Sequence, residues 1–327
     1  MRPMVLLFVA LFNSILGFSV LFPVLAPLGR QLGLSELEVT SLSTMYSLMQ
    51  FLTSPWWGKQ SERRGRKPTL LVGVVGFAIG FAAFGGVALL GLRGMLGHLP
   101  LLLLLLATRA LGGALSAATL PTAQAWAADL SERQNRTAAM GMIGAAFGLG
   151  VIFGPAIGAG LSTVAGSLLA PVWFSSGVAV VNAIFILLWL REPPQAIAAS
   201  AEIAAERGPL LRRVWPLLAI GLAITLSSVA MEQTVAFYFA DRLHIATSDG
   251  EAVARVVGLA LVGYGIVAVL AQGFIVRRWK WAPRSLMAIG LPIAVCGFVL
   301  FVFAREQIGL TSALMVQGLG QGLALPG

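Results

Sequence analysis

The sequence predicts an all-α polytopic membrane protein with about ten transmembrane helices. Three observations predict it. Of the 327 residues, 58% are hydrophobic and 11% charged, against about 25% charged in a soluble domain, and the mean hydropathy is +0.89. The apolar residues gather into runs long enough to cross a bilayer, separated by short loops. Lysine and arginine collect in alternate loops. This composition excludes a soluble globular enzyme, a disordered chain and a fibrous repeat. The single cysteine, Cys296, allows no intrachain disulfide, and two histidines, His98 and His244, make no His-rich metal site. No metal and no cofactor are expected.

A membrane helix needs about 20 mostly apolar residues, because the hydrocarbon core is about 30 Å thick. The first run is Met4–Leu28. It follows Arg2 as the core of a secretory signal would, but it is too long, holds Pro23 and Pro27, and lacks a small-x-small cleavage site. Val39–Trp57 ends on Trp56 and Trp57, a pair suited to anchoring at the interface. Thr69–Leu92 comes next, then Leu99–Ala127, which carries Arg109. Thr137–Leu161 holds Gly150, Gly154 and Gly158 at four-residue intervals, with Gly144 and Gly148 as a further such pair. Leu169–Leu190 is the sixth run. The loop Arg191–Val214, with Pro193, Pro194 and mixed charge, separates it from Trp215–Phe239, Ala254–Val276, Ser285–Phe303 and Ile308–Gly327. The predicted parts are a six-helix bundle over residues 1–190, a cytoplasmic linker over 191–214, and helices seven to ten over 215–327.

Arginine and lysine favour cytoplasmic loops. With the N-terminus inside, sixteen of the 22 fall in cytoplasmic segments, five outside, and Arg109 within a span. The net charge of +9 is therefore a topology signal spread over five short segments, and no nucleic-acid partner is expected. The orientation places the chain in a cytoplasmic (inner or plasma) membrane.

Between the second and third runs lies Gly58-Lys59-Gln60-Ser61-Glu62-Arg63-Arg64-Gly65-Arg66-Lys67-Pro68. Gly58 is expected to let two helices approach, Gly65 to make a turn at positive φ, and Glu62 to pair with an arginine or a helix N-terminus. The loop resembles the signature loop of the major facilitator superfamily. Gly58, Arg63, Gly65, Arg66 and Lys67 match it, and Glu62 stands for the usual aspartate. The resemblance implies a conformational latch that contacts an eleventh helix in the outward-facing state. Three further stretches resemble the twelve-helix drug:proton antiporter branch. Leu16–Pro27, with Gly17, Pro23 and Pro27, is similar to its first-helix motif. Arg109-Ala110-Leu111-Gly112-Gly113 is similar to its fourth-helix motif, and Gly150–Gly158, with Gly154 and Pro155, to its antiporter motif. Against twelve expected helices, about ten are present, so the second bundle reads as incomplete and the chain as C-terminally truncated by about two helices. Leu111–Pro121 in the fourth run weakly resembles Leu319–Pro326 in the tenth, where a six-plus-six repeat would place its counterpart.

An unpaired charge inside a bilayer costs roughly 2.5–3.5 kcal/mol on insertion scales, so Arg109 needs a carboxylate, a carbonyl or a wet cavity. The resemblance gives it a role in coupling protonation to conformational change. Glu232 is the only acid well inside a run; it carries a proton, attracts a cation, or faces water near the outer mouth. Asn13 stands where some antiporters carry an acid, and it cannot titrate. Gln124 and Gln233 line a cavity or bond a neighbouring helix. The glycine stripe is either static packing or, with Pro155 bending the helix, an interface that slides at the seam with helix eight.

No catalytic cluster is visible, so an enzyme is excluded. The sequence predicts a secondary transporter working by alternating access: proton-coupled efflux of drug-like or amphipathic molecules, driven by the proton motive force. Its expected partners are the lipid bilayer, a small-molecule substrate and protons, and it is expected to be monomeric. A metabolite or sugar symporter or uniporter of the same superfamily would keep the signature loop but need not carry the motif Gly150–Gly158.

Overall fold

A computed structural model of the chain describes residues 3–131, 136–192, 215, 219, 222, 226, 227, 229–231, 234–246, 249–271 and 283–324. Among the described residues every regular element is a helix. They are α1 Pro3–Ser19, α2 Phe22–Gln31, α3 Glu36–Arg64, α4 Arg66–Leu92, α5 His98–Ser116, α6 Thr119–Asp129, α7 Arg136–Ala165 and α8 Ala170–Trp189. A helical stretch over 234–242 (α9) follows, then α10 Gly250–Leu270, α11 Pro283–Phe303 and α12 Gln307–Ala324.

Two spans are broken rods. α1 and α2 form one apolar span over Pro3–Gln31, and α5 and α6 one over His98–Asp129. The first break falls just before Pro23 and the second four residues before Pro121. A proline has no N–H to return to the carbonyl four residues back and crowds it sterically, so the rod breaks on its N-terminal side. α3 begins with a capping box: Ser35 Oγ accepts from the Glu38 N–H (3.3 Å), and the Glu38 carboxylate accepts from the Ser35 N–H (2.8 Å).

Glu38 is also held by His98 Nε2 at 2.7 Å. Hydrogen bonds from the Ser35 backbone, then from His98 and the Ser35 hydroxyl, lower its pKa below 4.5. A lowered folded-state pKa stabilises the fold above the ordinary carboxylate range and loses that effect as the pH falls through the lowered value. Glu38→Gln is therefore expected to lower the melting temperature at pH 7 and to leave it unchanged well below pH 4.5.

Seven described spans, two of them the broken pairs α1–α2 and α5–α6, are long and apolar enough to cross a membrane. Of the ten expected spans, Trp215–Phe239 falls mostly outside the described residues. The other two, α3 and α12, are helices diluted by polar residues: Thr40, Ser43, Ser47 and Gln50 in α3, and Thr311, Ser312, Gln317 and Gln321 in α12. α1, α3, α4, α5, α7 and α8 pack together; α10 and α11 both pack on α12; α7 and α2 both meet α10. The core is apolar, with Trp126, Phe81, Phe84 and Phe239 among the largest wholly buried side chains. Val181, Leu188, Val295 and Phe303 are all at least 60% exposed. An apolar rim of this kind suits lipid and not water.

Candidate functional site

Arg109 lies in the interior of α5 and is 4% exposed. Glycines make its surroundings. A methyl at Gly113 would fall against the Tyr46 backbone of α3, and one at Gly80 of α4 would lie 2.6 Å from the Gly112 Cα. With no Cβ in the way, α3 and α4 close on α5, and their rings surround the guanidinium. Its carbon sits 4.1 Å from the centroid of Phe84, 5.1 Å from Phe81 and 5.9 Å from Tyr46. Cation–π attraction of this kind is worth about 0.5–2 kcal/mol per ring. Ring faces do not satisfy the N–H donors, and Nε and Nη2 are fully buried with no hydrogen-bond partner among the described residues. Beside it, the Tyr46 and Ser116 hydroxyls share a 2.8 Å hydrogen bond, and Gln50 Nε2 donates to Ser116 Oγ at 3.2 Å.

Arg109 lines a small, partly open cavity of about 30 Å³ between α2 and α3. Phe18, Phe22, Leu25 and Tyr46 form its apolar wall, and Ser43 and Ser47 add hydroxyls. Phe18 meets Phe22 edge-on at 5.3 Å and stacks on Tyr46 at 5.5 Å. The cage rings were not singled out from the sequence. The signal for two of them was the run Phe77, Phe81, Phe84, spaced i, i+4, i+7 along one face of α4.

The second set of helices repeats part of this arrangement. A methyl at Gly320 of α12 would lie 2.6 Å from the Gly290 carbonyl of α11, as Gly112 meets Gly80. In that register Gln317 stands where Arg109 stands, 3% exposed. The Tyr264 hydroxyl donates to Gln321 Oε1, to which Gln317 Nε2 also donates at 3.4 Å.

The glycine stripe of α7 sits on the first span. A methyl at Gly150 would lie 2.7 Å from Ile15 Cβ, one at Gly154 would overlap Ser19, and one at Gly158 would strike the Val20 carbonyl and approach Pro23. Ser19 Oγ donates to the Gly150 carbonyl at 2.7 Å. Contact with α10, the eighth helix, uses the other face of α7: Gly265 closes on Ile152, and Gly258 on Ala159 and the Pro155 carbonyl. Of the first-helix motif, Gly17 abuts Phe77 and Ser175, while Pro27 abuts Gly250 of α10.

The two helix sets are tied at the Arg30 end. Arg30 Nη2 donates to Glu36 (2.7 Å) and to Asp241 (2.9 Å), with its guanidinium 5.1 Å from the Phe237 centroid. An exposed pair of this kind contributes about 0.2–1 kcal/mol. Asp241→Asn is therefore expected to speed thiol labelling of an Ala240→Cys probe, in a Cys296→Ser background, by about two- to fivefold. The charge-swapped pair Arg30→Asp with Asp241→Arg should restore the slow rate.

At the opposite end, Gly65 links α3 to α4 at φ 101°. The expected roles of Gly58 and Glu62 are corrected here. Gly58 has open space where a Cβ would be, so no helix among the described residues approaches closely there. Exposed Glu62 makes no ion pair among the described residues. Glu192, just past α8, takes that place: it accepts from the N–H groups of Arg66 (2.5 Å) and Lys67 (2.8 Å) at the start of α4, where a carboxylate meets the positive end of the helix. Arg66 Nε pairs with Asp129 at 2.8 Å, and Lys67 Nζ donates to the Leu187 carbonyl. Arg63 is exposed. A methyl at Gly65 would lie 2.9 Å from Glu192 Oε1. Gly65→Ala, strained at positive φ and clashing there, is expected to destabilise by about 1–3 kcal/mol, read as a lower thermal midpoint.

Glu232 and Gln233 lie outside the described residues. Asn13 is half-buried and Gln124 exposed; neither lines the Arg109 cavity.

The sequence profile described as Major Facilitator Superfamily matches residues 7–327. The tetracycline resistance protein, class B, of Escherichia coli is 26% identical over 323 residues, covering 95% of this chain and 75% of that protein. The quinolone resistance protein NorA of Staphylococcus aureus (strain COL) is 22% identical over 326 residues, covering 98% and 78%. Among solved structures, the human organic anion transporter MFSD10 (TETRAN) superposes with a TM-score of 0.65 at 23% identity, covering 99% of this chain and 84% of that one.

Proposed function

From the fact that this chain belongs to the Major Facilitator Superfamily, and so is an integral membrane transporter of small molecules and not an enzyme, we propose that it is a proton-coupled exporter of drug-like, amphipathic compounds. The observation that carries this reading is the buried Arg109, without a hydrogen-bond partner for Nε and Nη2 among the described residues, beside a cavity walled by Phe18, Phe22 and Tyr46. A charge with no partner inside a membrane is costly to maintain and responds strongly to any proton or ligand that arrives. Similarity to tetracycline and quinolone resistance proteins supports export. The protein works as a monomer in a cytoplasmic membrane with its N-terminus inside, a six-helix bundle over 1–190 joined by the linker 191–214 to the helices of 215–327.

In this reading the substrate sits between the two helix sets near the midplane. The contacts of α2 with α10, and Arg30 with Asp241, close one end. The loop around Gly65, held by Glu192 and Asp129, biases the opposite end, and Glu232 is the proton carrier. A ligand shifts the equilibrium between states only by binding one of them better.

The test is flux of a panel of fluorescent amphipathic probes in proteoliposomes under an imposed pH gradient. Movement of at least one probe that collapses with a protonophore is the expected result. No gradient-dependent movement of any probe, with accumulation of a sugar instead, overturns the exporter reading.

A further inference from the structure

The joint between α5 and α6 is held from outside its own rod. The Ala117 N–H keeps the helical bond to the Gly113 carbonyl (3.1 Å), but the Ala118 N–H turns to the Leu115 carbonyl (3.1 Å). The Ala114 carbonyl therefore loses the donor four residues on that a continuous helix would give it. α3 supplies the replacement. Trp57 Nε1 donates to the Ala114 carbonyl at 2.6 Å. The Thr53 hydroxyl, 2.7 Å from its own Met49 carbonyl, lies 3.1 Å from that same oxygen. Nearer Arg109, Tyr46 and Gln50 of α3 bond Ser116 of the joint. An indole has one N–H and no acceptor, so Trp57 commits its only polar group to this bond. Its neighbour Trp56 is 50% exposed and is the interfacial anchor of the pair. The far end of α6 is tied as well, where Asp129 accepts from Arg66 Nε at 2.8 Å.

We propose that Trp57, with Thr53 as a second donor, is a positioning residue for the transport cycle. It clamps the α5–α6 joint in the state whose Arg30 end is closed, and releases it as α6 swings and that end opens. Pro121 cannot donate to the Ala117 carbonyl and crowds it, so the rod has a fixed weak point between two stiff arms. Breaks of this kind act as pivots. A side-chain bond from another helix sets the angle of this one, and it forms or breaks without unravelling either arm. When the joint straightens, the Ala114 carbonyl regains the Ala118 N–H and needs no side-chain donor. A contact made in one state and lost in the other favours the first. Here the clamp on Ala114 and the tie between Arg30 and Asp241 are made together. The proposal rests on alternation between two states, and not on the identity of the substrate or on protons.

Thiol labelling reads the state of the protein without any substrate, so its outcome is independent of the flux assay above. Two probes are placed, one at a time, in the whole chain carrying Cys296→Ser. Ala240→Cys lies beside Arg30, between α2 and α9. Ala179→Cys, at a position 3% exposed on α8, is reached only by general loosening. Trp57→Phe with Thr53→Val removes both donors. It is expected to speed labelling at Ala240→Cys by about fivefold or more and to leave Ala179→Cys unchanged. Replacing Thr53→Val by Thr53→Ser in that chain keeps a hydroxyl and should bring the rate back towards wild type. Trp56→Phe, the same change on the exposed ring, should stay within about twofold. Pro121→Ala acts on the joint from the other side: residue 121 gains an N–H for the Ala117 carbonyl, and labelling at Ala240→Cys should rise with both donors in place. A wild-type rate at Ala240→Cys in the double variant overturns the proposal. So does an equal rise at both probes, which marks loosening and not a change of state. If the double variant does not fold, Pro121→Ala decides by the same two criteria.

Discussion

Arg109→Ala is expected to cut gradient-driven flux by about a hundredfold or more while leaving a folded, membrane-inserted protein. The physical argument has two opposing parts. Truncation leaves a void beside Phe84 and Phe81, at a cost of a few kcal/mol for a large-to-small change in a core. It also removes a buried charge with no ion-pair partner among the described residues, whose desolvation costs a comparable amount. The two largely offset, so the thermal midpoint should move by only a few degrees while transport disappears. Thermal scanning fluorimetry of the purified variant, run beside the flux assay, separates the outcomes. If the midpoint falls by about 10 °C or more, or flux survives, Arg109 is a packing residue and the functional reading of the cage fails.

The second large effect lies on the glycine stripe. A Cβ at Gly154 would overlap the Ser19 side chain and come within 2.8 Å of the Ser19 backbone carbon. Gly154→Ala must push α7 away from α1, which breaks the Ser19–Gly150 hydrogen bond and displaces the break between α1 and α2. Inserting a methyl into a packed interface costs about 1–3 kcal/mol. The displacement also reaches the cavity, because Phe18 adjoins Ser19 in sequence. The expected result is loss of most flux together with a lower thermal midpoint. Ser19→Gly in the same chain removes the clashing side chain but leaves the backbone contact, so it should restore part of the midpoint. Gly144→Ala, where a methyl meets nothing within 4 Å, should be silent. Equal damage at Gly144 and Gly154 would show that helix propensity, and not the contact with α1, governs the stripe.

Much of this architecture was legible in the sequence because membranes impose it directly. Span length, apolar runs and proline breaks are local properties. So is the isolation of Arg109 in an apolar segment. What was not legible is who meets whom across helices. The cage around Arg109 joins Tyr46, Phe81 and Phe84 from two other helices, and a cation–π contact imposes no spacing along the chain. Glu192 caps α4 from 126 residues away, a partnership no local pattern encodes, so the carboxylate inside the motif, Glu62, looked like the natural partner. The four-residue spacing of the α7 glycines is itself visible in the sequence. Spacing does not say which neighbour fills the groove, and the first span fills it, with α10 on the other face. Glu232 lies outside the described residues, so its expected role stays with the proposal above.

The polar dilution of α3 and α12 has a consequence for biogenesis. A segment carrying several hydroxyls and amides leaves the translocon for lipid less readily than its greasier neighbours. α3 is followed after one residue, Gly65, by the strongly apolar α4, so the two are built to enter as a hairpin, the second rod drawing the first in. α12 likewise follows α11, from which three residues separate it. Substitutions that make α4 or α11 more polar should therefore show first as misinserted or degraded chains in the cell, before any defect in the assembled protein can be measured.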